Sequence, residues 1–82
     1  MQIELYEQAI TDFKFWQQNR SKKNRNTIAD MILHPFTGLG KPEALKHKLS
    51  GKWSRRINEE HRIVYEVINN YIFVYSLKGH YK

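Results

Sequence analysis

Apolar positions along the chain change period twice. Gln2-Ile-Glu-Leu-Tyr6 alternates polar and apolar and predicts a short strand. From Glu7 to about Asn19, Ala9, Phe13 and Trp16 recur at i, i+4 and i+7 with Ile10 beside them, the stripe of an amphipathic helix. Glu7 and Asp12 lie toward its N-terminal side, where the helix dipole favours carboxylates. The polar run Asn19-Arg20-Ser21-Lys22-Lys23 breaks this pattern, and Ser21 is placed to cap a second helix. That helix carries Ile28, Met31 and Ile32 at i, i+3 and i+4. It stops near His34, because Pro35 disfavours helical geometry in the residue before it.

Pro35 to Pro42 is a loop, with two glycines and two prolines in eight residues. Glu43-Ala-Leu-Lys-His47 reads as one helical turn started by Pro42, and Ser50-Gly51 as a turn. The period then falls to two. Trp53 to Asn58, Arg62 to Ile68 and Tyr71 to Leu77 read as strands, with Asn69-Asn70 as the tight turn between the last two. The order is an N-terminal strand, two helices, then a three-stranded antiparallel meander. It predicts an α+β two-layer sandwich with both helices on one sheet face. If Asn58 pairs with Arg62, then Trp53, Ile57, Ile63, Tyr65 and Val67 share the helix-facing side. Ser54, Arg56, Asn58, Arg62 and Glu66 share the other, which is polar, basic and open.

Composition narrows what that open face can do. Eighty-two residues predict one domain, residues 1–82, too small to enclose a deep cleft and better suited to a large partner than a small metabolite. The absence of cysteine removes disulfides, thiolate zinc sites and a cysteine nucleophile, and fits the cytoplasm. No run approaches the roughly 20 apolar residues of a membrane span, and the first residues lack the pattern of a signal peptide. The net charge is +6 and uneven: residues 41–82 hold nine Lys and Arg against four Asp and Glu, and residues 1–40 five against four. A basic half of this kind points to a polyanion, nucleic acid before membrane. The alternative is a basic surface that only aids solubility.

Six residues could carry chemistry at a phosphate. Glu43, close to Lys46, can serve as a general base, with Lys46 steadying it or binding phosphate; otherwise it is a helix-start carboxylate. Arg62 offers a planar fork of donors to a pentacovalent phosphate, and Arg56 on the same face can hold a neighbouring one. The structural alternative for Arg62 is an exposed pair with Glu59, Glu60 or Glu66. His80, directly behind an apolar strand that pins the residues after it, can give a proton to a leaving oxygen; otherwise it is a frayed terminal residue. Tyr81 can stack on a base or orient the phosphate. Lys48, Lys52 and Arg55 read as general electrostatic contacts or solvated surface. His34, His47 and His61 lack metal-ligand spacing, so no metal or other cofactor is expected. Tyr6, Phe13, Phe15, Trp16, Tyr65 and Phe73 read as core.

Four segments together carry a resemblance. They are Lys41-Pro-Glu-Ala-Leu-Lys-His47, Leu49-Ser-Gly-Lys-Trp-Ser-Arg-Arg-Ile57, Glu59-Glu-His-Arg-Ile-Val-Tyr65 and His80-Tyr81. The chain resembles the YoeB branch of the RelE/ParE toxin superfamily. The resemblance implies a RelE-like sandwich and a ribosome-dependent mRNA endonuclease that cuts in the ribosomal A site without metal. It implies Glu43 as general base, His80 as general acid, Arg62 as transition-state stabiliser, Lys46 and Arg56 as phosphate-side support and Tyr81 as substrate-orienting residue. It also implies a YefM-like antitoxin, acidic and partly disordered until bound, the 70S ribosome and mRNA as partners, and a homodimer. Lys78-Gly79 and Lys82 depart from the ends common in such chains, and Tyr6 stands where a serine cap is expected. The alternatives from other classes are a ParE-like gyrase inhibitor and a non-catalytic RNA-binding module.

Overall fold

The structure is a computed structural model that describes residues 2–18 and 22–79. Strand β1 (Gln2–Leu5) leads into α1 (Glu7–Gln18), and α2 (Lys22–Leu33) follows. Then come a two-residue strand β2 (Glu43–Ala44), a 3-10 turn (His47–Leu49), β3 (Trp53–Arg56), β4 (Arg62–Ile68) and β5 (Tyr71–Ser76). The sheet order is β1-β5-β4-β3-β2. β3, β4 and β5 form the expected antiparallel meander, and β1 joins β5 in parallel. The expected Ser21 cap lies outside the described residues.

One element differs in kind. Glu43 to His47 is not a helical turn: Glu43 pairs with Ser54, Ala44 with Trp53, and the Leu45 N–H donates to the Lys52 carbonyl at 2.9 Å. A five-residue turn would close at most about one helical hydrogen bond against a costly nucleus. The free edge of β3 satisfies more backbone groups, so the segment runs extended before tightening into the 3-10 turn.

The β3–β4 register also differs, by two. Arg56 rather than Asn58 stands opposite Arg62, and Trp53 stands opposite Tyr65. The Asn58 carboxamide accepts from the Glu60 and His61 N–H groups and so builds a longer hairpin tip. A shift of two leaves every side chain on its expected face. Ile57, Ile63, Tyr65, Ile72, Val74 and Leu77 meet Ala9 and Trp16 of α1 and Ile28 and Met31 of α2 in one core.

Expectations about side chains fail at Phe13, Phe15 and Arg55; Phe15, expected in the core, is exposed. Phe13 is 37% exposed. It lines a groove of about 260 Å³ between the helices with Ile28, Ala29 and Ile32. Asp12 takes the buried α1 position instead, because its carboxylate has two partners: the Leu77 N–H at 2.9 Å and the Gln8 carboxamide at 2.9 Å. Arg55 is not solvated but fully buried, at 0% exposure. It bonds the Asp30 carboxylate of α2 at 2.9 Å, the Thr37 carbonyl at 2.8 Å and the His34 carbonyl. Asp30 also accepts the Leu39 N–H at 2.9 Å. One ion pair thus ties α2, the loop after it and β3 together.

Candidate functional site

The loop that delivers Glu43 is shaped by backbone constraints. Gly40 has φ +83, and a β-carbon there would stand 2.2 Å from the Arg56 carbonyl oxygen, so only glycine fits. Its own carbonyl accepts the Arg56 N–H at 2.8 Å, which fastens the loop to the end of β3. Lys41 follows with φ 52, and β2 then begins at Glu43.

Register sets which residues share a face. Glu43 pairs with Ser54, Ser54 with Val64, and Arg56 with Arg62, so Glu43, Arg56 and Arg62 all lie on the sheet face away from the helices. Glu43 and Arg62 are separated by two strand spacings, about 10 Å laterally. Glu43 and Arg56 are exposed, and Arg62 is half-buried. Lys46 is exposed and extended at the start of the 3-10 turn. A cleft of about 540 Å³ runs along Glu43 to Leu49. A second, of about 570 Å³, is lined by Lys41, Arg56, Asn58 and Glu59 among others. His80 and Tyr81 lie outside the described residues.

The residues that lead to them are held firmly. Leu77 donates its N–H to Asp12, and its carbonyl accepts the Trp16 indole N–H at 2.6 Å. Gly79 donates its N–H to His61 Nδ1 at 2.9 Å, and its carbonyl accepts the Arg62 N–H at 2.9 Å. Between them the Lys78 ammonium lies 4.2 Å over the Phe15 ring. Sequence reasoning left Asp12, Trp16 and His61 out of the site. No local signal marks them, because their partners stand 65, 61 and 18 positions away.

The outer face is not uniformly open. Ser54 and Val64 are buried on it, as is Leu45. The Ser50-Gly51 turn comes close over it, with a β-carbon position at Gly51 3.4 Å from the Glu66 carboxylate. Toward β1 it carries aromatics, so Tyr6 and Phe73 do not join the core as expected. Tyr6 stacks near Phe73 at 6.3 Å and Tyr75 at 4.7 Å, and Tyr71 stacks near Phe73 at 5.8 Å. Glu66 accepts the Tyr75 hydroxyl at 2.6 Å; that bond, with burial, pushes the Tyr75 phenol well above its ordinary value. On the core side, burial raises the Tyr65 phenol, partly offset by the charge of Arg55.

The fold and site define a small, basic α+β sandwich that sets a carboxylate and two arginines on one sheet face, beside the clamped segment 77–79. Comparison with known proteins gives the family. Residues 5–81 match the model of the YoeB-like toxin of bacterial type II toxin-antitoxin system. Toxin YoeB of Escherichia coli K12 is 45% identical over 78 residues, covering 92% of this chain and 93% of that one. Two solved structures from Staphylococcus aureus superpose with a TM-score of 0.81, each covering 99% of this chain and 98% of the other: a heterotetrameric YoeB-YefM toxin-antitoxin complex, 43% identical, and a YoeB dimer, 45% identical. The chain belongs to the YoeB-like toxins of bacterial type II toxin–antitoxin systems. Among the described residues no helix is long and apolar enough to cross a membrane.

Proposed function

We propose that this toxin is an mRNA endoribonuclease that acts in the ribosomal A site, as one domain in the cytoplasm. The observation that carries the reading is the shared face: Glu43, Arg56 and Arg62 project to one side of the sheet, and the segment preceding His80 is fastened to the backbone of Arg62. The substrate is a codon's phosphodiester. Glu43 takes the proton of the ribose 2′-hydroxyl as its oxygen attacks the adjacent phosphorus. Arg62 meets the charge that develops on the non-bridging oxygens. The P–O5′ bond breaks, and His80 protonates the leaving oxygen. The products are a 2′,3′-cyclic phosphate and a 5′-hydroxyl. Lys46 and Arg56 hold flanking phosphates, and Tyr81 orients the scissile one. The shallow clefts suit a reaction in which the 70S ribosome and mRNA complete the site, and the basic half of the chain docks on ribosomal RNA.

The same reading assigns a YefM-like antitoxin as the silencing partner and a homodimer as the toxin's own assembly, by analogy with the Staphylococcus aureus YoeB-YefM complex and YoeB dimer. The chemistry of the cut ends tests the reaction. RNA isolated after toxin induction is expected to carry 2′,3′-cyclic phosphates at new 3′ ends. Growth arrest without new 3′ ends would instead favour gyrase inhibition or simple binding.

A further inference from the structure

The C-terminal segment is gripped twice, and the two grips differ in kind. The first, on Leu77, comes from α1 through Asp12 and Trp16 and closes the core. The second is on Gly79, the residue immediately before His80. Its carbonyl is held by the Arg62 backbone, but its N–H depends on one side chain, His61 Nδ1, at 2.9 Å. An accepting Nδ1 requires the ring proton on Nε2, and Nε2 stands 3.8 Å from the Glu60 carboxylate. The ring is also packed against its neighbours. It packs edge-on to Trp16 at 5.5 Å and tilted to Phe15 at 6.3 Å, and the His61 backbone N–H is tied to Asn58.

Gly79 has φ +80, with nothing within 4 Å of a β-carbon position. Glycine in open space is a swivel unless something outside it fixes the chain. We infer that His61 is a positioning residue for the reaction: by holding the Gly79 N–H it removes that swivel from the residue that precedes His80. The inference rests on the reading of His80 as the proton donor. A donor misplaced by about 1 Å loses rate without losing affinity for RNA.

Two substitutions separate the hydrogen bond from the packing. His61→Phe keeps a ring against Trp16 and Phe15 but offers Gly79 no acceptor. His61→Asn gives up the ring but can set a carboxamide oxygen where Nδ1 stands. Cleavage of ribosome-bound mRNA is measured for both beside the wild type, with Gly79 amide exchange followed by NMR. His61→Phe is expected to lower kcat at least about tenfold with KM within about twofold, and to speed Gly79 exchange. His61→Asn is expected to recover most of kcat and to keep Gly79 protected. Wild-type kcat or a protected Gly79 in His61→Phe would overturn the inference, as would a His61→Asn protein slower than His61→Phe. A wild-type toxin that leaves ribosome-bound mRNA whole would overturn the nuclease reading and the positioning role with it, whereas the Gly79 exchange pattern separates that failure from failure of the anchor.

Discussion

Replacing Arg55 by alanine removes the one guanidinium sealed inside the fold among the described residues. Its side chain is fully buried and makes three bonds, to the Asp30 carboxylate, the Thr37 carbonyl and the His34 carbonyl. Each charge-assisted bond is worth about 1.5–3 kcal/mol in mutational terms. The desolvation of the buried guanidinium, several kcal/mol, offsets much of that sum. Removing one partner of a buried pair costs about 3–5 kcal/mol, chiefly through the charge left behind. Here the survivor, Asp30, is 21% exposed and keeps its bond from the Leu39 N–H, so the lower half of that range applies, about 3–4 kcal/mol. The stability of an 82-residue chain is only about 4–12 kcal/mol, so the change removes a large share of it. Equilibrium unfolding in urea, with a slope near 1 kcal/mol per molar for a chain this small, should show the midpoint falling by about 3 M. Arg56→Ala is the internal control. It is adjacent in sequence but exposed on the opposite face, and should move stability by no more than about 0.5 kcal/mol. An Arg55→Ala protein within about 1 kcal/mol of wild type would refute the claim that this ion pair holds α2, its following loop and β3 together.

Gly40→Ala should cost about 2–4 kcal/mol in the same assay, because the added methyl meets the Arg56 carbonyl and the backbone is held at a positive φ; a neutral effect would mean the loop is not locked there. The Tyr65 and Tyr75 phenols titrate above their ordinary value in the fold. Stability from keeping them protonated is therefore complete below about pH 10 and drains as pH rises through the raised folded values. Urea midpoints followed from pH 8 to pH 11 should fall at the alkaline end, and Tyr75→Phe should flatten that fall; an unchanged slope would contradict the Glu66 hydrogen bond as its cause. Glu43→Ala and Arg62→Ala should each slow mRNA cleavage at least about tenfold while leaving the unfolding midpoint near wild type, and unchanged cleavage would remove that residue from the mechanism.

Period-two patterning made the sheet faces legible before the register was known. The observed pairing is shifted by two, and an even shift moves no side chain across the sheet. Arg55 shares the parity of Trp53 and Ile57, but its charge reads as an electrostatic contact or solvated surface. What the pattern could not supply was Asp30, 25 positions earlier, which makes burial tolerable. Glu43 was legible as a site residue but not as part of a strand, because a two-residue strand exists only through its neighbour's free edge. The stripe on α1 misled for a related reason: Asp12 outcompetes Phe13 for the inside because the Leu77 N–H needs an acceptor there. Each failure is a long-range partner that a single stretch of sequence does not reveal.

The central proposal is that a carboxylate and two arginines on one sheet face, with the histidine that follows a clamped segment, cut mRNA on the ribosome. A reconstituted translation reaction tests it most directly. The purified toxin is added, mRNA 5′ ends are mapped, and His80→Gln and ribosome-free mRNA run alongside. The account predicts cuts confined to the A-site codon that require both ribosomes and His80. Intact mRNA under conditions where the toxin still blocks growth would contradict it, as would cuts of equal strength in the His80→Gln reaction.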